Sequence, residues 1–244
     1  MVLFRNKKIH IDCFTSVGIY ATDNPIQKAS NFIPEWWKKL TPNVTFKDTN
    51  QVEIEKPTMR SCMGLIDLYR AGFIIPMWSD LNFKIQNNDF FYQFASNMGE
   101  INHHLPFQYN NAYKNLVHFK IVVPWYFREK TGVQFLATGC VWSSLEKMPK
   151  ISLLNGVLNF KYQAMCNING FVSLEGQPYQ YNIEAGTPMM HLIPMSDKDI
   201  QLHIHTLSDT DFNKMTSHLL PYKFLRWGLH RRKILKNKNS FWKF

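Results

Sequence analysis

Long apolar runs are missing from this sequence. The longest, such as residues 71–78, fall far short of the roughly 20 residues a helix needs to cross a bilayer, which excludes a helical transmembrane segment. The opening residues, Met1-Val2-Leu3-Phe4-Arg5-Asn6-Lys7-Lys8, hold no apolar stretch of signal-peptide length, and His10 and Asp12 interrupt the next one. The expectation is a chain made and kept in a cytoplasm. Closely spaced cysteines are missing too. Cys13, Cys62, Cys140 and Cys166 lie far apart, so neither a zinc knuckle nor a redox pair is spelled, and buried, reduced thiols are the default reading. There is no Gly-rich phosphate loop, no Gly-x-Ser-x-Gly elbow and no His-Glu-x-x-His helix. The 18 acidic residues show no spacing that singles out a carboxylate pair for acid–base work.

Acidic residues stop altogether at Asp211. Residues 212–244 carry nine Lys and Arg and no acid, so nine of the chain's ten net positive charges sit there and residues 1–211 are left at +1. Any attraction to a polyanion has to come from that last stretch. Apolar residues make up 45% of the 244 and aromatics 15%, enough for one sizeable core. No linker, repeat or low-complexity stretch divides the chain. The expected organisation is a β-rich body over 1–211, with a basic, aromatic helical segment over 212–244 packed on it.

Patterning supports mostly strands. Residues 8–19 alternate, with Ile9, Ile11 and Cys13 on one face and His10, Asp12 and Phe14 on the other. Residues 26–40 read as two short helical pieces broken at Pro34, which suits a first helical turn. Residues 41–56 read as a loop plus one strand, and 58–72 as a short helix that Gly72 closes. Further strands are predicted over 73–78, 81–86, 90–94, 115–124, 132–142, 157–164, 170–175, 179–183, 189–194 and 200–206. The intervening turns include a charged one at 128–132 and another at Asn167-Ile168-Asn169-Gly170. Ser208-Asp209-Thr210-Asp211 offers an N-cap to a helix over about 212–220. Many short strands with frequent turns predict a mainly β fold: a β-sandwich or jelly-roll-like (double-stranded β-helix) barrel with short N-terminal helices and a basic C-terminal helical segment.

Several marks resemble a known family as a set. They are Phe32-Ile33-Pro34-Glu35-Trp36-Trp37-Lys38-Lys39-Leu40, Thr58-Met59-Arg60-Ser61-Cys62-Met63, Ala71-Gly72-Phe73-Ile74-Ile75-Pro76-Met77-Trp78-Ser79-Asp80, Pro124-Trp125, and Ala185-Gly186-Thr187-Pro188-Met189-Met190-His191-Leu192-Ile193-Pro194. Together they resemble proteins of marine and cyanobacterial tailed phages and of some bacteria, over roughly residues 10–195. The resemblance implies a phage origin and carries no activity with it. That family places Asn before the Pro-Trp pair and Gly-Tyr-Ser after it, where this chain has Val123 and Thr131-Gly132-Val133-Gln134. Physically the marks suit junction and core roles: Gly72 and Gly186 at positive φ, Pro76 and Pro194 at edges or bulges, and Trp36, Trp37, Trp78 and Trp125 as large apolar fillers or the lining of a pocket.

Three constellations could carry chemistry. His203 and His205 share a strand face and are weak metal candidates, but Leu202 and Ile204 claim the core face, which turns the imidazoles to solvent. His10-Ile11-Asp12 spells the first two ligands of an iron facial triad, with His191 or His118 as a third, and the same parity argument turns it outward. His103 and His104 point apart and fit a solvated loop. The strongest compositional signal is the basic segment, where Arg226, Arg231, Arg232, Lys233 and Lys236 interleave with Trp227, Phe241, Trp242 and Phe244. Cations there suit phosphate and the rings suit bases, or the segment docks on the body or on a protein. The expected function is a non-enzymatic, phage-encoded binding or structural protein of the host cytoplasm or virion, without a cofactor. Its partner would be a protein or a second copy, with nucleic acid possible through residues 212–244. The alternative is a metal-dependent barrel enzyme of the cupin or oxygenase type.

Overall fold

Alternating apolar residues become strands along most of the chain. The structure, a computed structural model, describes residues 8–96 and 99–217. β1 (Ile9–Thr15) leads to α1 (Gly18–Thr22), β2 (Gln27–Lys28), a 3-10 turn at Ala29–Phe32 and α2 (Glu35–Lys38). β3 (Asn43–Lys47) and β4 (Glu53–Pro57) come next, then a 3-10 turn at Met59–Ser61 and α3 (Met63–Arg70). β5 (Phe73–Pro76), β6 (Leu81–Gln86), β7 (Asp89–Phe94) and β8 (Ile101–Asn102) follow. A 3-10 turn at Pro106–Tyr109 precedes the long β9 (Leu116–Glu129), which is followed by β10 (Phe135–Gly139) and α4 (Val141–Lys147). β11 (Ile151–Leu153), β12 (Gly156–Leu158), β13 (Met165–Ser173), β14 (Tyr179–Ile183), β15 (Pro188–Pro194), β16 (Ile200–Thr206) and α5 (Asp209–Ser217) complete the described chain.

The fold is mainly β, with several antiparallel sheets. The largest runs β11-β13-β9-β1-β16, with β8 also on β9. The second runs β12-β10-β15-β5-β2, the third β14-β6-β7, and β3 and β4 form a two-stranded sheet of their own. Pairing is antiparallel except between β1 and β16, which run parallel and set Asp12 opposite His203. One hydrophobic cluster draws on the three larger sheets, with Ile11 and Phe127 from the first, Phe135 and Leu192 from the second, and Phe83 and Ile85 from the third. Trp125 lies fully buried within it and Trp78 stacks on Phe94, each with an indole N–H that meets no acceptor among the described residues. Trp37 instead donates its indole N–H to the Met59 carbonyl and carries Arg60 over its ring.

The helices over 29–38 and 63–70, the strands at 73–76, 81–94 and 179–206, and the Ser208 cap match the sequence reading. The Ser208 hydroxyl accepts from the Asp211 amide at 3.1 Å and donates to its carboxylate. Gly72 follows α3 at φ +70, as expected of a residue that closes a helix.

Other expectations are corrected. The first strand ends at Thr15, and α1 takes up residues 18–22. Residues 41–56 hold two strands rather than one: Asp48 accepts from the Asn50 and Val52 amides and Gln51 takes φ +64, which reverses the chain. The strand over 115–124 runs on to Glu129. Pro124 is tolerated there because it sits at the register shift between the Val122↔Asn167 and Tyr126↔Met165 pairs. The strand over 132–142 is only β10, and α4 replaces its end, where Trp142 meets Trp36 edge to face. β11 is an additional strand, and 157–164 is mostly a turn that drops Phe160 between Phe127 and Phe135.

Asn167-Ile168-Asn169-Gly170 is the interior of β13, not a turn. Ile168 is buried, the asparagines alternate with it, and Gly170 faces Phe119, where a Cβ would lie 2.5 Å from the ring. What reads as a turn signal is close packing. Of the cysteines, Cys13 and Cys166 are buried and Cys62 is exposed, against the expectation that all are buried. Burial raises the Cys13 and Cys166 thiols and pushes Cys140 up to about 12, which makes these three poor nucleophiles.

Candidate functional site

The parallel pairing of β1 with β16 brings together residues that are remote in sequence. His10 Nδ1 and His203 Nε2 are 2.9 Å apart, and His205 Nε2 meets Asp12 Oδ1 at 2.9 Å. Arg128 on β9 approaches the other Asp12 oxygen at 3.9 Å and covers the Phe14 ring, which stacks on His205. Ile9 and Ile11 are buried, and Leu202 and Ile204 pack against the core, so the imidazoles face outward as strand parity requires. The two weak metal motifs are therefore one patch. Its carboxylate is engaged on both oxygens, and among the described residues no group of three or more His, Cys, Asp or Glu is arranged to hold a metal ion. Neither His118 nor His191 joins the patch. His191 hydrogen-bonds the Ala71 carbonyl, and His118 lies elsewhere on β9.

A cleft of about 510 Å³ is lined by His104, Tyr109, His118, Asn167, Phe171 and Met190, among others. Three rings converge on Phe171: Tyr109, Tyr113 and His118. The Asn167 side-chain oxygen is buried there without a donor among the described residues. His118, only 4% exposed, accepts the His104 amide through Nδ1 at 3.0 Å, so its remaining proton sits on Nε2. His103 and His104 themselves are exposed in the loop before the 3-10 turn at Pro106–Tyr109, as expected, with only the His104 amide tied to His118. Burial first, then His104, Lys120 and His103, push the His118 imidazole down to about 4, and burial also lowers His191.

Because the folded-state values lie below the unfolded one, the unfolded chain takes up these protons first. Stability is complete above about pH 6.5 and falls as the pH drops towards 4. Thermal midpoints measured across that window are expected to fall less steeply in His118→Asn, which keeps an acceptor for the His104 amide and does not titrate. An unchanged slope would remove His118 as the source.

The third feature is the β3–β4 hairpin. The register pairs Val44 with Lys56 and Phe46 with Ile54, so these side chains share one face with Val52 beyond them. Asn43, Thr45, Lys47, Glu53 and Glu55 take the other face. This is an amphipathic ribbon, yet Val44 is 48% and Phe46 46% exposed, with Val52 also exposed. The base is tied down: the Thr58 amide donates to the Pro42 carbonyl, the Thr58 hydroxyl to the Thr41 carbonyl, and the Ser61 hydroxyl to the Pro42 carbonyl. The sequence did signal the ribbon, through Val44 and Phe46 alternating before an Asp-Thr-Asn turn and Val52 and Ile54 after it.

Arg226, Trp227, Arg231, Arg232, Lys233 and Lys236, the binding residues expected from composition, lie outside the described residues. Before them in the chain, Phe212 of α5 sits edge to face on Tyr126 of β9. Among the described residues no helix is long and apolar enough to cross a membrane. No protein-family model, no curated protein and no solved structure matches the chain.

Proposed function

We propose that the chain is a non-enzymatic binding or structural protein that engages a protein partner through the apolar face of the β3–β4 hairpin. The observation that carries this is a ribbon with one apolar face, Val44, Phe46, Val52 and Ile54, projecting from a body that already has its own core. A lone two-stranded ribbon is marginal in water, and exposed apolar surface of this kind marks a contact site. The His10/Asp12/His203/His205 patch fits this reading better than metal chemistry, because its hydrogen bonds are spent within the patch.

The chain's passage from β9 to β10, from β11 to β12 to β13, and from β15 to β16 crosses repeatedly between the two largest sheets, which supports a β-sandwich of the jelly-roll kind. The tailed-phage resemblance, taken with such a body, favours a role in the infected cell or the virion. A nucleic-acid contact through the basic segment would be additional to the ribbon.

The test compares the immobilised full chain with its Phe46→Glu/Ile54→Glu variant in extracts of cells producing the protein. Partner proteins, quantified by mass spectrometry, are expected to fall by about tenfold on the variant. Equal recoveries from two equally folded baits would sink the reading.

A further inference from the structure

The face of the hairpin is one contact surface and its edge is another. The ladder bonds at its two ends, Asp48 amide to Val52 carbonyl and Thr58 amide to Pro42 carbonyl, fix which residues pair inward. In an antiparallel ladder these alternate, so positions 42, 44, 46 and 48 bond across to β4, and Asn43, Thr45 and Lys47 present N–H and C=O groups outward. All five β3 residues are exposed, and among the described residues no further strand covers them. By the same alternation the outer edge of β4 is Glu53, Glu55 and Pro57.

We infer that β3 is the pairing edge for a second copy of this chain, joined antiparallel about a two-fold axis through Thr45. This rests on reading the hairpin as a protein-contact arm. The self-match is complete in one register. Thr45 faces its own copy, Asn43 faces Lys47 of the copy, and Val44 faces Phe46 of the copy in the closer, non-hydrogen-bonded positions. Thr–Thr and aromatic–β-branched pairs are favourable in such ladders, and no like charges meet. The three outward-facing positions pair with one another, which forms about six backbone hydrogen bonds. The Asn43 carbonyl already accepts from the Thr41 hydroxyl, and its second lone pair remains for the ladder.

The β4 edge cannot do the same. Centred pairing there sets Glu55 against Glu55, and Pro57 has no N–H to give, the two devices by which an edge is kept from pairing. Like charge at Glu55 and the missing N–H of Pro57 therefore select the β3 edge over the β4 edge. A two-fold perpendicular to the resulting four-stranded sheet keeps both apolar faces on one side. Val44, Phe46, Val52 and Ile54 of each copy then form a continuous surface twice the size of the single hairpin's.

The test is the mass of the full chain by light scattering over a concentration series. The wild type is expected at twice the chain mass at high concentration. Thr45→Pro removes an outward N–H that makes no bond among the described residues, so it is expected to halve that mass without unfolding the protein, whereas Glu55→Pro, its counterpart on the other edge, leaves the dimer intact. A monomer at every concentration, or a dimer indifferent to Thr45→Pro, would overturn the inference. If both prolines dissociate the dimer, Thr45→Cys in a Cys62→Ser background decides. Paired Cα atoms about 5.5 Å apart are within disulfide reach, so rapid cross-linking supports the pairing and its absence overturns it. A chain that is monomeric at every concentration yet still loses partner capture on Phe46→Glu/Ile54→Glu removes the edge pairing and leaves the apolar-face reading standing.

Discussion

Gly72→Ala is expected to cost the fold about 3–5 kcal/mol, a lowering of the thermal midpoint by roughly 10 °C or more for a chain of this size. Two effects add. Gly72 adopts φ +70, a conformation that strains any residue with a Cβ, and that Cβ would lie 2.0 Å from the Leu192 carbonyl oxygen and 2.8 Å from the Pro194 ring. The obstacle is backbone in β15, which cannot swing aside as a side-chain tip can. Gly72 and the preceding Ala71 also hold neighbouring elements: the Gly72 carbonyl accepts from the Ala29 amide, and the Ala71 carbonyl from His191. Gly186→Ala separates the contributions. Its φ is +85 but its nearest obstacle is the Asn24 side-chain oxygen at 3.0 Å, so it should show the conformational penalty alone, about 1 kcal/mol. Calorimetry on both variants decides. Equal losses would mean that the close approach of Gly72 to β15 carries no energy.

The need for glycine at 72 was legible, because a short helical pattern runs into a buried strand there. The close approach to β15 was not, since Leu192 is 120 residues away in the chain. The same division holds across the molecule. Strands over 81–94 and 179–206 could be read from alternation alone, because one side of each enters the core and the local pattern reports it. Where two demands compete at one residue, the pattern misleads. Gly170 and its asparagine neighbours look like a turn until Phe119 is placed against Gly170. Val157 reads as the start of a strand, but Phe160 leaves the line to reach Phe127 and Phe135, and the strand stops short.

The candidate sites follow the same logic. Parity on β1 and β16 turned His10, Asp12, His203 and His205 outward, and that much came from the sequence. Their union in one patch depends on a parallel pairing between the first and last described strands, which no local signal encodes. The hairpin is the converse case. Its alternation was in plain view, but a single strand accounts for a half-exposed pattern as well as a ribbon does. Only the Asp48 turn and the Thr58–Pro42 bonds at the base show that two strands pair away from the core.

Glu129 is the residue whose sequence reading changed most, and Glu129→Ala is expected to destabilise the protein by about 3 kcal/mol or more. The charged run at 128–132 suggests a solvated turn. Instead Glu129 ends β9 only 2% exposed, on the same side of the strand as Phe127 and Trp125. Its carboxylate accepts from the amides of Thr131 and Gly132 at 2.5 Å each and of Val133 at 3.2 Å. Removing a buried charge relieves a desolvation cost, which works in the variant's favour. Against that, three amides lose their acceptor in a turn that Gly132 at φ +87 and the Asn159 bond to its carbonyl hold in place. Charge-assisted bonds to backbone amides are about twice as strong as neutral ones, so the loss outweighs the relief. Glu129→Gln keeps an acceptor oxygen but sets an NH₂ against an amide, and should fall between the two. Lys130→Ala, an exposed change in the same turn, should stay within about 0.5 kcal/mol of wild type. Denaturant midpoints that rank the three variants in any other order would show that the carboxylate does not organise this turn. The β9–β10 connection, which carries the chain from the largest sheet to the second, would then have to be held by Asn159 and the Phe160 packing alone.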